Sequence, residues 1–395
     1  MFELSKEIKK WKNSFRQKCS GSDIEELEDH LLELFEDLRG TGLSDHEAFS
    51  QAVSQMGNSK EVGQEFAKVK SMGEWLLDSF RALDPALFLS LVLICGMGVW
   101  VTYTAGDNIS PGVWIKQTVW VVLGFCLMLL VAQVNPTRIE RSTPYLYGAS
   151  VLLLALLPFA GIEVLGVKKW LALGVLNIQP SVLMLLTVPM MIAWVESNEK
   201  WAQTRTGDVL ILSAVLVPAL VILLQPDGGM ALLCILAGFS TVLLSSCRGR
   251  IVRLICLSVP MVCIAGWLIV QPNTLQNLGI ETIDLRDHAD FILATIAYQF
   301  GTPGVMLALA SFGFLFYRAF TICKRSVDPF SRNLGLGFVG VILMQLLLNV
   351  SAMNGWVPYI RVPLPLISYG GSSLVMLLVG FGILYSIQRQ QQPKY

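Results

Sequence analysis

Apolar and polar positions along this chain follow two rhythms. In the first seventy or so residues, apolar side chains recur every three or four places. Leu4, Ile8, Trp11 and Phe15 form one stripe, and Ile24, Leu27, Leu31, Leu34 and Leu38 form another. That is the period of an α-helix with one buried face. Ser22 with Glu25, and Ser44 with Glu47, have the spacing of capping boxes, so a helix is expected to start at each. Gly40 and Gly42 close the first of these helices. Ala48, Ala52, Val53 and Met56 mark the next, which Gly57 and Asn58 end before a further helix through Val62, Phe66 and Val69. Residues 1–82 therefore read as a small helical domain.

From Pro85 the rhythm changes to long apolar runs separated by short polar ones. A membrane-spanning helix needs about 17–25 mostly apolar residues. Ten runs qualify, near 86–104, 112–134, 144–161, 178–195, 208–224, 229–246, 251–270, 301–320, 334–350 and 370–387. The expected fold is all-α: a polytopic membrane domain over residues 83–395, with about ten transmembrane helices, behind a soluble helical head.

Charge sharpens this division. Only 15% of residues are charged and 54% are apolar, against about 25% charged in a soluble domain. Residues 1–86 carry 17 acidic and 11 basic side chains, and the remainder 12 and 18. The net charge is zero, so no basic surface speaks for nucleic acid. The opening MFELSKEIKKWKNSFRQK is charged and lacks the apolar stretch of a signal peptide. The eight cysteines form no CxxC pair, and most sit in apolar runs as small fillers. Lys and Arg number thirteen in the even-numbered loops and tail and five in the odd ones. The positive-inside rule then places head, tail and even loops in the cytoplasm and the odd loops outside.

The odd loops are poor in charge but hold the chemistry. The fifth is Gln225-Pro226-Asp227-Gly228-Gly229. Pro-Asp-Gly is good turn chemistry. A carboxylate at the membrane boundary is also costly and suited to act as a base. Lys168, Lys169 and Trp170 in the third loop read equally as an interfacial anchor or as cations for a phosphate. Ser368, Gly370, Gly371, Ser372 and Ser373 can cap a helix or start one whose amides hold an anion. There is no Walker loop, HExxH or GxSxG.

Taken in order, these segments resemble the SEDS proteins of bacterial shape, elongation, division and sporulation, known as RodA, FtsW and SpoVE. The strongest match is PLPLISYGGSSLVMLLVGFGILYSI, residues 363–387, which is similar to the family's C-terminal signature. Val167-Lys168-Lys169-Trp170, Ile178-Gln179-Pro180-Ser181, Leu224-Gln225-Pro226-Asp227, Asp290-Phe291-Ile292, Asn349 and Pro358 stand in the family's order. The likeness covers about residues 85–390. It implies a peptidoglycan glycosyltransferase that polymerises lipid II on the outer face of the membrane, partnered by a class B penicillin-binding protein. It implies Asp227 as the catalytic carboxylate. Lys168, Lys169, Trp170, Gln179, Asp290, Asn349, Arg361, Ser368, Ser372 and Ser373 are the substrate-binding candidates. No metal ligand set is evident, and a divalent cation (Mg or Mn) remains a candidate cofactor. Residues 22–69 resemble a prefix domain found ahead of some bacterial permeases, expected to meet a cytoplasmic partner or the membrane surface.

The chain also departs from the family. Val182 and Leu185 replace a Glu and Lys that would share a helix face, a paired loss that leaves no stranded charge. Tyr298 and Gln299 replace two acidic residues, Arg361 a Gly, and Gly228 a Phe. Two other classes stay open: a flippase or transporter for the same lipid, for which ten spans and few charges are suited, and a non-catalytic scaffold of cell-wall synthesis, which the departures and the acidic head favour.

Overall fold

The computed structural model describes residues 4, 7–8, 11–12, 21–40, 42–57, 83–104, 112–164, 167–173, 176–225, 227–245, 292–353 and 362–391. The chain divides into two compact units, Met1–Arg81 with Gln392–Tyr395, and Ala82–Gln391.

In the first unit, α1 spans Gly21–Gly40 and α2 spans Asp45–Met56. Apolar residues spaced at three and four places on α1 (Leu27, Leu31, Phe35) bury against Ala48, Phe49 and Ala52 of α2, with Trp11 in the same cluster. Ser44 starts α2 as a full capping box: its hydroxyl accepts from the Glu47 amide, and the Glu47 carboxylate accepts from the Ser44 amide at 3.2 Å. The Ser44 hydroxyl holds the Glu47 carboxyl below its ordinary range. Gly57, at φ 85°, ends α2. The side chains of Ser22 and Glu25, and the helix expected through Val62, Phe66 and Val69, lie outside the described residues.

The second unit is a bundle. Its helices are α3 (Pro85–Thr104), α4 (Val113–Ala132), α5 (Pro136–Ala160), α6 (Pro180–Ser197), α7 (Arg205–Leu223), α8 (Gly228–Leu244), α9 (Ile292–Arg325), α10 (Pro329–Met353) and α11 (Gly371–Gln391). Among the described residues, eight helices are long and apolar enough to cross a membrane, and α8 is a shorter apolar one. The protein is a multi-pass membrane protein. The span expected at 251–270 lies outside the described residues.

Three features differ most from the expected all-α arrangement. α9 begins at Ile292, nine residues before the apolar run at 301–320, and its backbone breaks at Gly301 (φ 63°). α5 begins at Pro136, eight residues before the apolar run, because Asn135 caps it through the Thr137 amide and Pro136 fits the first helical turn. The third loop is not irregular: strands β1 (Gly161–Val164), β2 (Val167–Leu173) and β3 (Leu176–Ile178) form an antiparallel sheet in the order β1-β2-β3. Pairing gives these backbone groups hydrogen bonds where helix is broken.

In lipid, apolar contact alone does not drive helices together, so close packing at small residues must do more. α4 and α11 show this. Trp120 lies against Gly371, Gly124 against Leu374 and Leu378, and Met128 with Val131 against Gly382. Both numbers rise together, so the two helices run parallel. Gly98 of α3 sits so close to the Ile367 carbonyl that a Cβ would stand 2.7 Å from its oxygen. At the end of the bundle away from the sheet, the buried Glu196 accepts from the Ser245 hydroxyl (2.8 Å) and the Asn333 amide (3.2 Å), tying together α6, α8 and α10.

Candidate active site

The end of the bundle bearing the sheet gathers most of the residues singled out by sequence. α7 ends at Leu223, and four positions later the chain reaches Asp227. Its carboxylate N-caps α8, accepting from the Met230 amide at 3.5 Å. Gln225 is buried and donates its side-chain amide to the Leu154 carbonyl of α5 at 3.0 Å. The corner is thereby fixed from both sides, by the start of α8 and by α5. The partial positive charge of the helix start faces the carboxylate. Pro226 lies outside the described residues.

β2 brings the cation. The register of β1 against β2 shifts at Lys169, the extra residue between Lys168 (opposite Glu163) and Trp170 (opposite Ile162), and Leu171, two places on, is buried in the same cluster as Met230 of α8. Lys169 Nζ stands 3.2 Å from Asp227 Oδ2, with 22% and 9% of the two side chains exposed. Lys168 pairs with Glu163 across the sheet and donates to the Pro158 carbonyl at 3.1 Å. An ammonium has three N–H groups, so this bond leaves capacity for an anion. Trp170 is half-buried and pairs with Ile162 across the sheet. Gln179 precedes α6 and makes no side-chain cap.

The third component is the segment before α11. Asn349 of α10 donates to the Val362 carbonyl at 2.8 Å, and Gln345, one turn earlier, donates to the Pro363 carbonyl at 2.8 Å. Ser368 Oγ accepts from the Leu364 amide at 2.8 Å, while the Ser368 amide returns to the Leu364 carbonyl. Asn349 and Ser368 are thus buried holders of backbone. Ser372 and Ser373, in the first turn of α11, are half-buried. Val362 belongs to the same buried cluster as Leu171 and Met230, which joins this segment to the Lys169–Asp227 corner. Asp290 and Arg361 lie outside the described residues.

Two residues at this end escaped the sequence reading, Gln225 as an anchor and Gln345 as a donor. A readable signal existed for Gln345: it stands four places before Asn349, on the same helix face. The departures also have places. Val182 and Leu185 are both buried in the apolar cluster around Leu171 and Met230, and Gln299 accepts from the Thr104 hydroxyl at 2.7 Å. Among the described residues no three His, Cys, Asp or Glu side chains stand close enough to hold a metal ion.

Known proteins resemble this chain in sequence and fold. The Cell cycle protein family FtsW/RodA/SpoVE matches residues 79–278 and 285–393. The peptidoglycan glycosyltransferase MrdB of Escherichia coli K12 is 27% identical over 351 residues, covering 78% of this chain and 94% of that protein. The probable peptidoglycan glycosyltransferase FtsW of Bacillus subtilis is 26% identical over 368 residues, covering 78% and 91%. The crystal structure of the rod shape determining protein RodA of Thermus thermophilus superposes with a TM-score of 0.66 at 28% identity, covering 78% of this chain and 97% of that one. A chain of a solved peptidoglycan synthase complex superposes with a TM-score of 0.65 at 27% identity, covering 78% and 98%.

Proposed function

The chain belongs to the FtsW/RodA/SpoVE family of cell cycle proteins, and from that membership and the Lys169–Asp227 corner we propose that it is a peptidoglycan glycosyltransferase. The observation that carries the reading is a carboxylate fixed at a helix start, ion-paired at 3.2 Å, at the end of the bundle where strand, helix start and the segment before α11 meet. Its substrate would be lipid II, a disaccharide-peptide on a polyprenyl diphosphate.

The proposed step follows from that geometry. A sugar hydroxyl of one substrate attacks the anomeric carbon of another, inverting it. Asp227 accepts the hydroxyl proton as the new C–O bond forms. The bond to the diphosphate breaks, and the diphosphate leaves with the electron pair. Lys169 and Lys168 supply positive charge where that anion develops, which lowers the barrier most in a site that excludes water. Lys169 also holds the Asp227 carboxylate in place before substrate arrives.

The charge distribution along the loops supports a topology with both termini in the cytoplasm and Asp227 on the outer face of the inner membrane. The likeness to a chain of a peptidoglycan synthase complex supports a class B penicillin-binding protein as partner. The acidic head is proposed as a docking module for a cytoplasmic protein.

Purified full-length protein supplied with lipid II, with and without such a penicillin-binding protein, tests the reading. Glycan polymer on a gel is the expected result. Lipid movement across vesicles with no polymer under either condition would instead make the protein a transporter.

A further inference from the structure

The segment 362–370 carries a backbone problem. Pro363 and Pro365 have no N–H, so the chain here has few donors with which to pair itself. Leu366 within it is a non-glycine residue at φ 64°, in the left-handed region, with its side chain buried. Such a conformation persists only where the surroundings over-determine it.

The structure shows what does so. Gln345 donates to the Pro363 carbonyl and Asn349 to the Val362 carbonyl, both at 2.8 Å. The later helix residue holds the earlier carbonyl, so the segment runs back along α10. Two donors one helical turn apart form a two-rung clamp, about 6 Å long along the helix axis. Beyond the clamp, Ser368 closes the turn on Leu364 through both its hydroxyl and its amide. Gly370 then accepts from the Leu374 amide and starts α11. The position of the α11 start, with Ser372 and Ser373 in its first turn, is therefore set through the clamp. Gln345 is itself buried, at 1% exposure. Val362, at the first rung, is buried in the same cluster as Leu171 of β2 and Met230 of α8, the elements that carry Lys169 and Asp227.

We infer that Gln345 is a positioning residue of the transfer site: its bond to Pro363 holds the 362–370 turn, and through it the α11 start, in register with the Lys169–Asp227 pair. The inference rests on the glycosyltransferase reading above. A positioning loss lowers turnover once substrate is bound. A displacement of about 1 Å away from the reacting atoms costs on the order of 100-fold.

The test is steady-state polymerisation of lipid II by the full-length protein, comparing wild type with Gln345→Met, which keeps the length and removes the donor. Gln345→Asn, which draws the donor back by one methylene, gives the same measurement should the Met variant fold poorly. Asp227→Asn runs alongside. The expected result is a kcat lowered by roughly 10- to 100-fold, with KM for lipid II within about twofold of wild type. Wild-type kcat, or a raised KM at unchanged kcat, in the folded variant overturns the positioning role. Absence of polymer from the wild type would instead overturn the glycosyltransferase reading on which the inference stands.

Discussion

Lys169 reaches Asp227 across the gap between a strand and a helix start, Nζ to Oδ2 at 3.2 Å. The two lie 58 positions apart in sequence, and their meeting depends on β2, whose register shift falls at Lys169. Because both side chains are largely removed from solvent, losing one leaves the other badly paired. Lys169→Met is expected to lower stability by about 2 kcal/mol, between the values for exposed and fully buried pairs. The double variant Lys169→Met with Asp227→Asn should recover part of that loss. Thermal unfolding of the purified variants in detergent checks this, and strictly additive effects would show that the pair is not coupled.

Helix packing near the same end predicts a contrast between two glycines on α3. A Cβ on Gly98 would stand 2.7 Å from the Ile367 carbonyl oxygen, whereas one on Gly96 meets nothing within 4 Å. Gly98→Ala is expected to cost about 1–3 kcal/mol, because backbone must move. Gly96→Ala should be neutral or stabilising by up to about 1 kcal/mol through helix propensity. Melting temperatures of the two variants decide the matter, since the contrast fails if they shift alike.

Asp84 predicts a pH dependence. Burial opposes its ionisation, but the Arg318 side chain and the Leu87 amide (2.8 Å to Oδ1) outweigh that and hold the carboxyl below its ordinary range. A carboxyl lowered on folding adds stability that is present above its unfolded value, about 3.9, and is lost as pH falls through its lower folded value. Wild type should therefore lose stability more steeply than Asp84→Asn as pH drops below about 4. Parallel melting curves across that window would contradict the assignment.

Much of the fold is legible in the sequence because membrane helices announce themselves by length and apolarity, and each helix of the second unit overlaps one of the apolar runs. What was not legible has physical reasons. The stretch VKKWLAL shows no clean alternation of apolar and polar residues, and its pairing with β1 slips at Lys169, so β2 reads as loop. The polar first turns of α5, with Arg138, Glu140 and Arg141, lie outside the apolar run and are visible only through Asn135 and Pro136. For the candidate site, Gln225-Pro226-Asp227-Gly228 already reads as a corner, but its cation comes from another element. Asn349 and Ser368 were singled out as ligand-facing residues. Their inward roles follow from the donors that a proline-rich segment lacks, and that demand appears only once α10 lies beside it.

The central claim is that Asp227 takes the proton of the attacking hydroxyl. Asp227→Asn keeps size and shape and removes the base, so the most direct measurement is lipid II polymerisation by the purified Asn variant beside wild type. The account predicts a folded protein, destabilised by about 2 kcal/mol because Lys169 loses its charged partner, and no detectable polymer. Polymer formed at the wild-type rate by that variant would contradict it.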